Sequence, residues 1–487
     1  MKHSHLLVEF LAISVVTLIC LPSFCNISVQ SLGPNQAMYW EYALRNGLSP
    51  YDTNVNGSGV QWVFNAGQHT QVSGLAVAPD GTIYTVVTLS SLNGTELVNE
   101  DFLCALSPNG TLKWKSNASI DLFIQSYSLT IGQDGTIYSV KEVVVRSPPD
   151  PISGHRYENH TFAIMALNPD DGSVKWEYHP PNLPDNMALS NLLIGPNDEL
   201  FFSASNQICA LDQFGQSLWN LTFPYHSSFV LAQNSSIVVT ADGHLLFILP
   251  NGTISGNVTI TDGTSLLSGQ PMIRNDGNIL LLGYDGLHVI APNGTLLWSF
   301  RNGDTSMPES VVLDKNDNAY LRFENRTIGD DGNFVDRLYL ASLGPDGGLR
   351  WVRNQDTVIT AVSADGLLYG VTSDHSYSQT SVRFIALRDD GSVKWLMDEL
   401  HGPSPLGGSY GGGLTGNSAI GSDGTVYFTG WNSWVGYGYV LALKGNPHGG
   451  DPGLTEQTLI VTLTVVTVAA IIVLCYIVKR RDEGEVR

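Results

Sequence analysis

The chain has 487 residues, of which only 14% are charged, against roughly 25% in ordinary soluble domains. A hydrophobic content of 43% excludes a disordered chain, and a net charge of −21 with only 24 Lys and Arg leaves no basic footprint for nucleic acid. Residues 1–25 open with Lys2 and an apolar run from Leu6 to Leu21, followed by Pro22-Ser23-Phe24-Cys25. This order predicts a secretory signal cleaved near Cys25. A lead-in segment, 26–56, follows.

From about residue 57 to 446 one pattern recurs, and it decides the architecture. Its first half reads Asp80-Gly-Thr-Ile-Tyr84 and returns at Asp134-Gly-Thr-Ile-Tyr138, Asp276-Gly277, Asp365-Gly366 and Asp423-Gly-Thr-Val-Tyr427, with weaker forms near Asn197, Ser236 and Asn316. Its second half reads Cys104-Ala-Leu-Ser-Pro-Asn-Gly-Thr-Leu-Lys-Trp114 and returns in copies ending at Trp176, Trp219, Trp298, Trp351 and Trp395. One copy, Leu246 to Gly256, has lost its Trp. Asp-Gly and Asn-Gly between apolar runs predict hairpin turns, and four strands per copy of about 40–50 residues is the period of a propeller blade.

The last copy stops at Tyr439-Val-Leu-Ala-Leu-Lys444, whereas the chain opens with an orphan outer strand, Gly59-Val-Gln-Trp62-Val-Phe64. The orphan is expected to complete the last blade and close the ring, removing two sheet edges. The predicted fold is therefore an all-β eight-bladed propeller. Seven blades is the alternative, because the copy without Trp is short. Cys104 and Cys209 stand in matching contexts of non-adjacent repeats, which predicts two buried thiols and no disulfide.

After a linker, 447–458, Leu459 to Val478 contains no charged residue, and about 1.5 Å per residue over that length spans a hydrocarbon core of about 30 Å. Lys479-Arg480-Arg481 follows, so the tail 479–487 is expected in the cytoplasm and the propeller outside, in a type I single-pass topology.

The blocks Asp80-Gly-Thr-Ile-Tyr84 and Met165-Ala-Leu-Asn-Pro-Asp-Asp-Gly-Ser-Val-Lys-Trp176 resemble the pyrroloquinoline-quinone (PQQ) type propeller repeat of the quinoprotein alcohol dehydrogenase family. The lead-in from Trp40 to Pro50 is similar to the segment that precedes such repeats, and the resemblance runs from about residue 36 to 446. Membership of the dehydrogenase branch would imply a quinone held under a vicinal Cys-Cys disulfide and over a Trp, with a carboxylate-bound calcium and an Asp base. This sequence has no vicinal cysteines, so no catalytic, cofactor or metal residue carries over. No cofactor is predicted, and PQQ with calcium is kept as the alternative.

In a four-stranded blade, turns A–B and C–D share one face and B–C and D–A the other. The A–B and C–D turns are short throughout, while insertions fall in B–C at about 88–101, 141–163, 323–337, 372–382 and 428–438, and in the long D–A link from Leu396 to Ser418. Variable connections on a rigid frame are where binding concentrates. Candidate ligand-face residues are His155, Tyr157, Tyr410, Trp431, Trp434 and Tyr437, with Arg156, His160 and Tyr439 beside them. Ser73, Ser128, Ser190, Ser310 and Ser418 recur near strand A as candidates for a channel-mouth ring. Asp314-Lys-Asn316-Asp-Asn318 has the spacing of a calcium loop but coincides with a repeat turn, and is read as the turn.

Twelve Asn-x-Ser/Thr sequons occur, at Asn26, Asn56, Asn93, Asn109, Asn117, Asn159, Asn220, Asn234, Asn251, Asn257, Asn293 and Asn325. All precede the apolar stretch, which predicts a glycosylated exterior. The expected function is a cell-surface binding or assembly scaffold for an extracellular protein or glycan, with a surface quinone-dependent dehydrogenase as the alternative.

Overall fold

A computed structural model describes residues 48–444 apart from connecting stretches, the longest of them 117–128, 147–157, 182–188, 261–269 and 399–417. The expected signal at 1–25 and the apolar stretch 459–478 lie outside the described residues. Among the described residues no helix is long and apolar enough to cross a membrane.

Strand β1 (Val60–Gln68) is followed by seven sheets built in chain order. Blade 1 holds β2 (Thr70–Val77), β3 (Ile83–Asn93), β4 (Glu96–Leu106) and β5 (Leu112–Lys115); blade 2 holds β6 (Leu129–Ile131), β7 (Ile137–Arg146), β8 (Glu158–Leu167) and β9 (Val174–Tyr178). Blade 3 holds β10 (Leu189–Ile194), β11 (Leu200–Ala204), β12 (Gln207–Leu211) and β13 (Ser217–Thr222); blade 4 holds β14 (Ser228–Leu231), β15 (Ile237–Ala241), β16 (His244–Ile248) and β17 (Ile254–Thr259). Blade 5 holds β18 (Gln270–Ile273), β19 (Ile279–Gly283), β20 (Gly286–Ile290) and β21 (Leu296–Phe300). Blade 6 holds β22 (Ser306–Leu313), β23 (Ala319–Ile328), β24 (Phe334–Leu343) and β25 (Leu349–Arg353). Blade 7 holds β26 (Asp356–Val362), β27 (Leu368–Ser376), β28 (Gln379–Leu387) and β29 (Val393–Asp398). Blade 8 takes β30 (Ser418–Ile420), β31 (Val426–Asn432) and β32 (Tyr437–Leu443) from the end of the chain and β1 from its beginning.

The ring therefore has eight blades, and the copy without Trp is a complete blade 4. It closes as expected: β1 pairs antiparallel with β32, Val60 opposite Leu443 and Phe64 opposite Val440. The core is circular in the same sense. Eight hydrophobic clusters are each shared between two neighbouring blades, and the one containing Val72, Leu75, Tyr427 and Val440 joins blade 8 to blade 1.

The repeated residues have separate physical duties. In the A–B turn of blade 1, Asp80 accepts hydrogen bonds from Thr82 N (2.8 Å) and Thr82 Oγ1 (2.9 Å), and Gly81 takes the left-handed conformation (φ 81°) that closes the turn. Asp134 and Thr136, and Asp423 and Thr425, repeat the arrangement. The Tyr that ends this motif packs against the Trp of the same blade: Tyr84 on Trp114 and Tyr138 on Trp176 at 5.8 Å, Tyr320 on Trp351 at 5.9 Å.

That Trp then reaches across to the next blade. The indole of Trp114 donates to the Pro169 carbonyl (2.8 Å), and its ring lies so close to Gly172 that a Cβ there would stand 2.6 Å from it. Trp62 to Pro108, Trp176 to Gln213, Trp219 to Pro250, Trp298 to Pro345 and Trp351 to Asp389 make the same bond at five other seams. The seam between blades 4 and 5 has Gly256 in place of Trp and is filled by Phe247, Val258 and Leu296.

The seam between blades 7 and 8 is different again. Lead-in residues 48–55 lie on blade 7: Leu48 forms a parallel bridge with Val362, Ser49 N donates to Val362 O (2.7 Å), and Ala364 N donates to Tyr51 O (3.0 Å). Thr53 bonds the Tyr369 hydroxyl, and Val55 is fully buried in the cluster that also contains Trp395. Here the lead-in supplies packing that a C–D turn of the next blade supplies elsewhere.

Two turns depart from the Gly rule. Asp198 (φ 61°) and Asp317 (φ 60°) occupy the left-handed position themselves, and each carboxylate caps the turn of the preceding blade. Asp198 accepts from Gln133 N (2.7 Å), and Asp317 from Asn275 N (2.8 Å) and Asp276 N (3.2 Å). Burial pushes both carboxyl groups above the usual range, with Asp134 and Glu199 adding to the effect at Asp198 and Asp276 at Asp317.

Candidate ligand-binding face

The B–C connections are extended hairpins, where irregular loops were expected. Strands B and C have 11 residues each in blade 1, 10 in blades 2 and 6, 9 in blade 7 and 7 in blade 8, against 5 each in blades 3, 4 and 5. Five extra residues at about 3.3 Å each raise the tallest hairpins by about 17 Å. Ring closure makes the tall blades consecutive, 6-7-8-1-2. They form a crescent wall on one side of the face, and blades 3–5 leave the other side low. Above its root the wall is two-stranded: β5 pairs β4 only from Cys104 to Leu106, and β25 pairs β24 only from Leu340 to Leu343.

The roots of the wall are rich in buried polar contacts. Arg322 on β23 holds Asp356 at the start of β26 through Nε (2.9 Å) and a terminal guanidinium nitrogen (2.8 Å), and Asp356 also accepts from Ser373 (2.8 Å). The pair is almost wholly excluded from solvent, so its charges and hydrogen bonds must be matched. Thr357 meets Thr372 at 2.9 Å. At the blade 5–6 end of the wall, Phe323 stacks on half-buried Tyr339 (5.4 Å, 13°) and takes Phe300 edge-on (6.2 Å). In blade 1 the Lys115 ammonium sits 3.3 Å from the centroid of the Phe102 ring, a cation–π contact.

Of the residues singled out in the sequence, His155, Tyr157, Tyr410 and Trp434 lie outside the described residues. Trp431 and Tyr437 stand on the blade 8 hairpin, opposite Gly438 and Asn432. Tyr439 is a correction: it is fully buried between blades 7 and 8, lying against Gly430, where any Cβ would collide with its ring. Ser418 is a second correction, being fully buried and bonded to Thr360 (2.5 Å) across two blades, and Ser73 lies at a bulge inside β2. Neither belongs to a ring at a channel mouth.

Asn109, Asn220, Asn251, Asn257 and Asn293 are exposed; Asn93, Asn159 and Asn325 lie on wall hairpins, and Asn56, Asn117 and Asn234 fall outside the described residues. The Asp314 segment is an A–B turn whose carboxylate is occupied by Asn316 N, Asn318 N and the Tyr320 hydroxyl. Burial pushes the Cys104 and Cys209 thiols up to about 11, so neither is a thiolate nucleophile near neutral pH. Among the described residues no three His, Cys, Asp or Glu side chains come together to hold a metal. The Arg322–Asp356 and Phe323–Tyr339 pairs were not foreseen. Their only local signals are a charge and an aromatic inside an apolar strand.

No family model and no curated protein matches the chain. Similar solved structures include a streptogramin B lyase (12% identity over 67% of this chain and 96% of that one, TM-score 0.37) and the polysaccharide lyase Uly1 (10%, 84% and 98%, 0.39). Dipeptidyl peptidase 4 of Porphyromonas gingivalis is similar at 9% identity over 76% of this chain and 57% of that one, with a TM-score of 0.40. Such distances carry nothing about ligand or chemistry. The class defined by the coordinates themselves is an eight-bladed β-propeller with one elaborated face.

Proposed function

We propose that the protein is a cell-surface binding or assembly scaffold, tethered by residues 459–478 and engaging an extracellular protein or glycan with its hairpin crescent. The observation that carries this reading is the run of five adjacent tall hairpins on a ring whose opposite face has only short turns. Rigid frames that vary on one face concentrate recognition there. The exposed sequons at Asn109, Asn220, Asn251, Asn257 and Asn293 support an extracytoplasmic, glycosylated exterior. The quoted repeat blocks support a PQQ-type ancestry of the ring, without its catalytic residues.

The test is to replace 141–163 and 432–437 by short turns like that joining β11 to β12, in the full chain. Interaction partners recovered by proximity labelling on intact cells should be lost while the melting temperature stays within a few degrees. Retention of the same partners by both shortened forms would place recognition elsewhere.

A further inference from the structure

Trp395 is 7% exposed, and its indole nitrogen, a donor with no acceptor capacity, finds no hydrogen-bond partner among the described residues. A buried orphan of this kind requires an explanation. Six equivalent tryptophans supply one. Each donates to the carbonyl two residues past the last residue of strand C in the following blade: Leu106 to Pro108, Leu167 to Pro169, Leu211 to Gln213, Ile248 to Pro250, Leu343 to Pro345 and Leu387 to Asp389.

The blade that follows Trp395 is blade 8, whose strand C ends at Leu443. Its backbone keeps the common register one residue further, since Lys444 N donates to Gly59 O (3.1 Å) as Ser107 N donates to Thr111 O (2.8 Å). The position two past Leu443 is Gly445, the first residue beyond the described ones. We propose that the Gly445 carbonyl accepts the Trp395 indole N–H, so that the segment leaving the ring is docked into the blade 7–8 seam. The seam is then closed from two sides, by the lead-in at Tyr51–Val55 and by the outgoing chain.

Four of the six acceptors are proline, which presets φ near −65° for that turn position. Gly445→Pro is therefore the informative variant. In the full chain in detergent micelles, with ¹⁵N-labelled indoles and Trp395 assigned through Trp395→Phe, the Trp395 N–H should exchange with water at least tenfold more slowly than free indole. Gly445→Pro should move the Trp395 resonance while leaving those of Trp62 and Trp114 in place, and Ser58→Ala, on the incoming side, should not move it. Exchange at the free-indole rate overturns the proposal without needing any variant. A protected indole that ignores Gly445→Pro, or that follows Ser58→Ala instead, overturns it too, because the acceptor then lies elsewhere.

Discussion

The indole N–H of Trp62 donates to the carbonyl of Pro108 at 2.8 Å, joining the first strand of the chain to the outer turn of the first complete blade. Trp62 belongs to blade 8 through its pairing with β32, so this one bond crosses the ring closure after 46 residues of chain. The ring ends are thus held by the same device as the other seams.

The close fit of indole on glycine makes a graded prediction. Gly172→Ala forces both a left-handed Ala (φ 72°) and a Cβ 2.6 Å from the Trp114 ring, whereas Gly366→Ala meets only the first problem (φ 85°, nothing within 4 Å). The left-handed conformation alone costs about 1–2 kcal/mol. Gly366→Ala should fall in that range and Gly172→Ala well above it, as measured by denaturant unfolding. Equal losses would show that the indole contact contributes nothing.

The Arg322–Asp356 pair should respond to removal of either partner. Asp356→Ala leaves a guanidinium buried without its carboxylate, and a loss of about 3–5 kcal/mol is expected. The double replacement Arg322→Met with Asp356→Leu should recover most of it, which thermal unfolding of the three forms will check.

The two turn-capping aspartates predict a pH dependence of definite sign. Their carboxyls are raised above the unfolded value, so ionisation at neutral pH is a strain that the fold carries and that protonation relieves. Asp198→Asn and Asp317→Asn keep an acceptor and tolerate positive φ, so each should be neutral to stabilising at pH 7, with the gain fading as pH falls towards 4. At Asp423 burial raises the carboxyl, but hydrogen bonds from Lys444 and Thr425 outweigh it and hold the group below its ordinary value. Its contribution is present above that value and is lost as pH falls through the lowered one. Unfolding free energies of Asp198→Asn and Asp423→Asn across pH 3–7 should therefore diverge in opposite directions.

The lead-in has a measurable share in stability. Val55→Ala removes two methyl groups from a fully buried site and should cost about 2 kcal/mol, at about 0.8 kcal/mol per carbon plus a cavity term. Val63→Ala, 41% exposed on the outer rim, should cost less than 0.5 kcal/mol. Similar losses at both positions would deny the lead-in its place in the core.

Most of the ring was legible in the sequence because its determinants are local. Asp80, Gly81, Thr82 and Tyr84 act within five residues of one another, and the orphan strand at Trp62 could be matched to an incomplete last blade. The missing Trp at Gly256 left the blade count open because a seam can be filled by Phe247 and Val258 as well. The positions of the long B–C connections were also legible, but not their adjacency: 88–101 and 323–337 become parts of one wall only when the ring closes. The same holds for Thr53 on Tyr369, 316 residues apart, and for Tyr439, whose burial depends on a blade 7 surface that no local pattern displays.

Lys444 reaches the A–B turn of its own blade, its ammonium 2.6 Å from Asp423, and Gly59 enters beside it. Both ends of the described chain therefore depart from the underside of the disc, opposite the tall hairpins. Anything fastened beyond Lys444 holds the molecule as a stem holds a cup, with the raised half of its lip turned outward and the low half at blades 3–5 left as the way in.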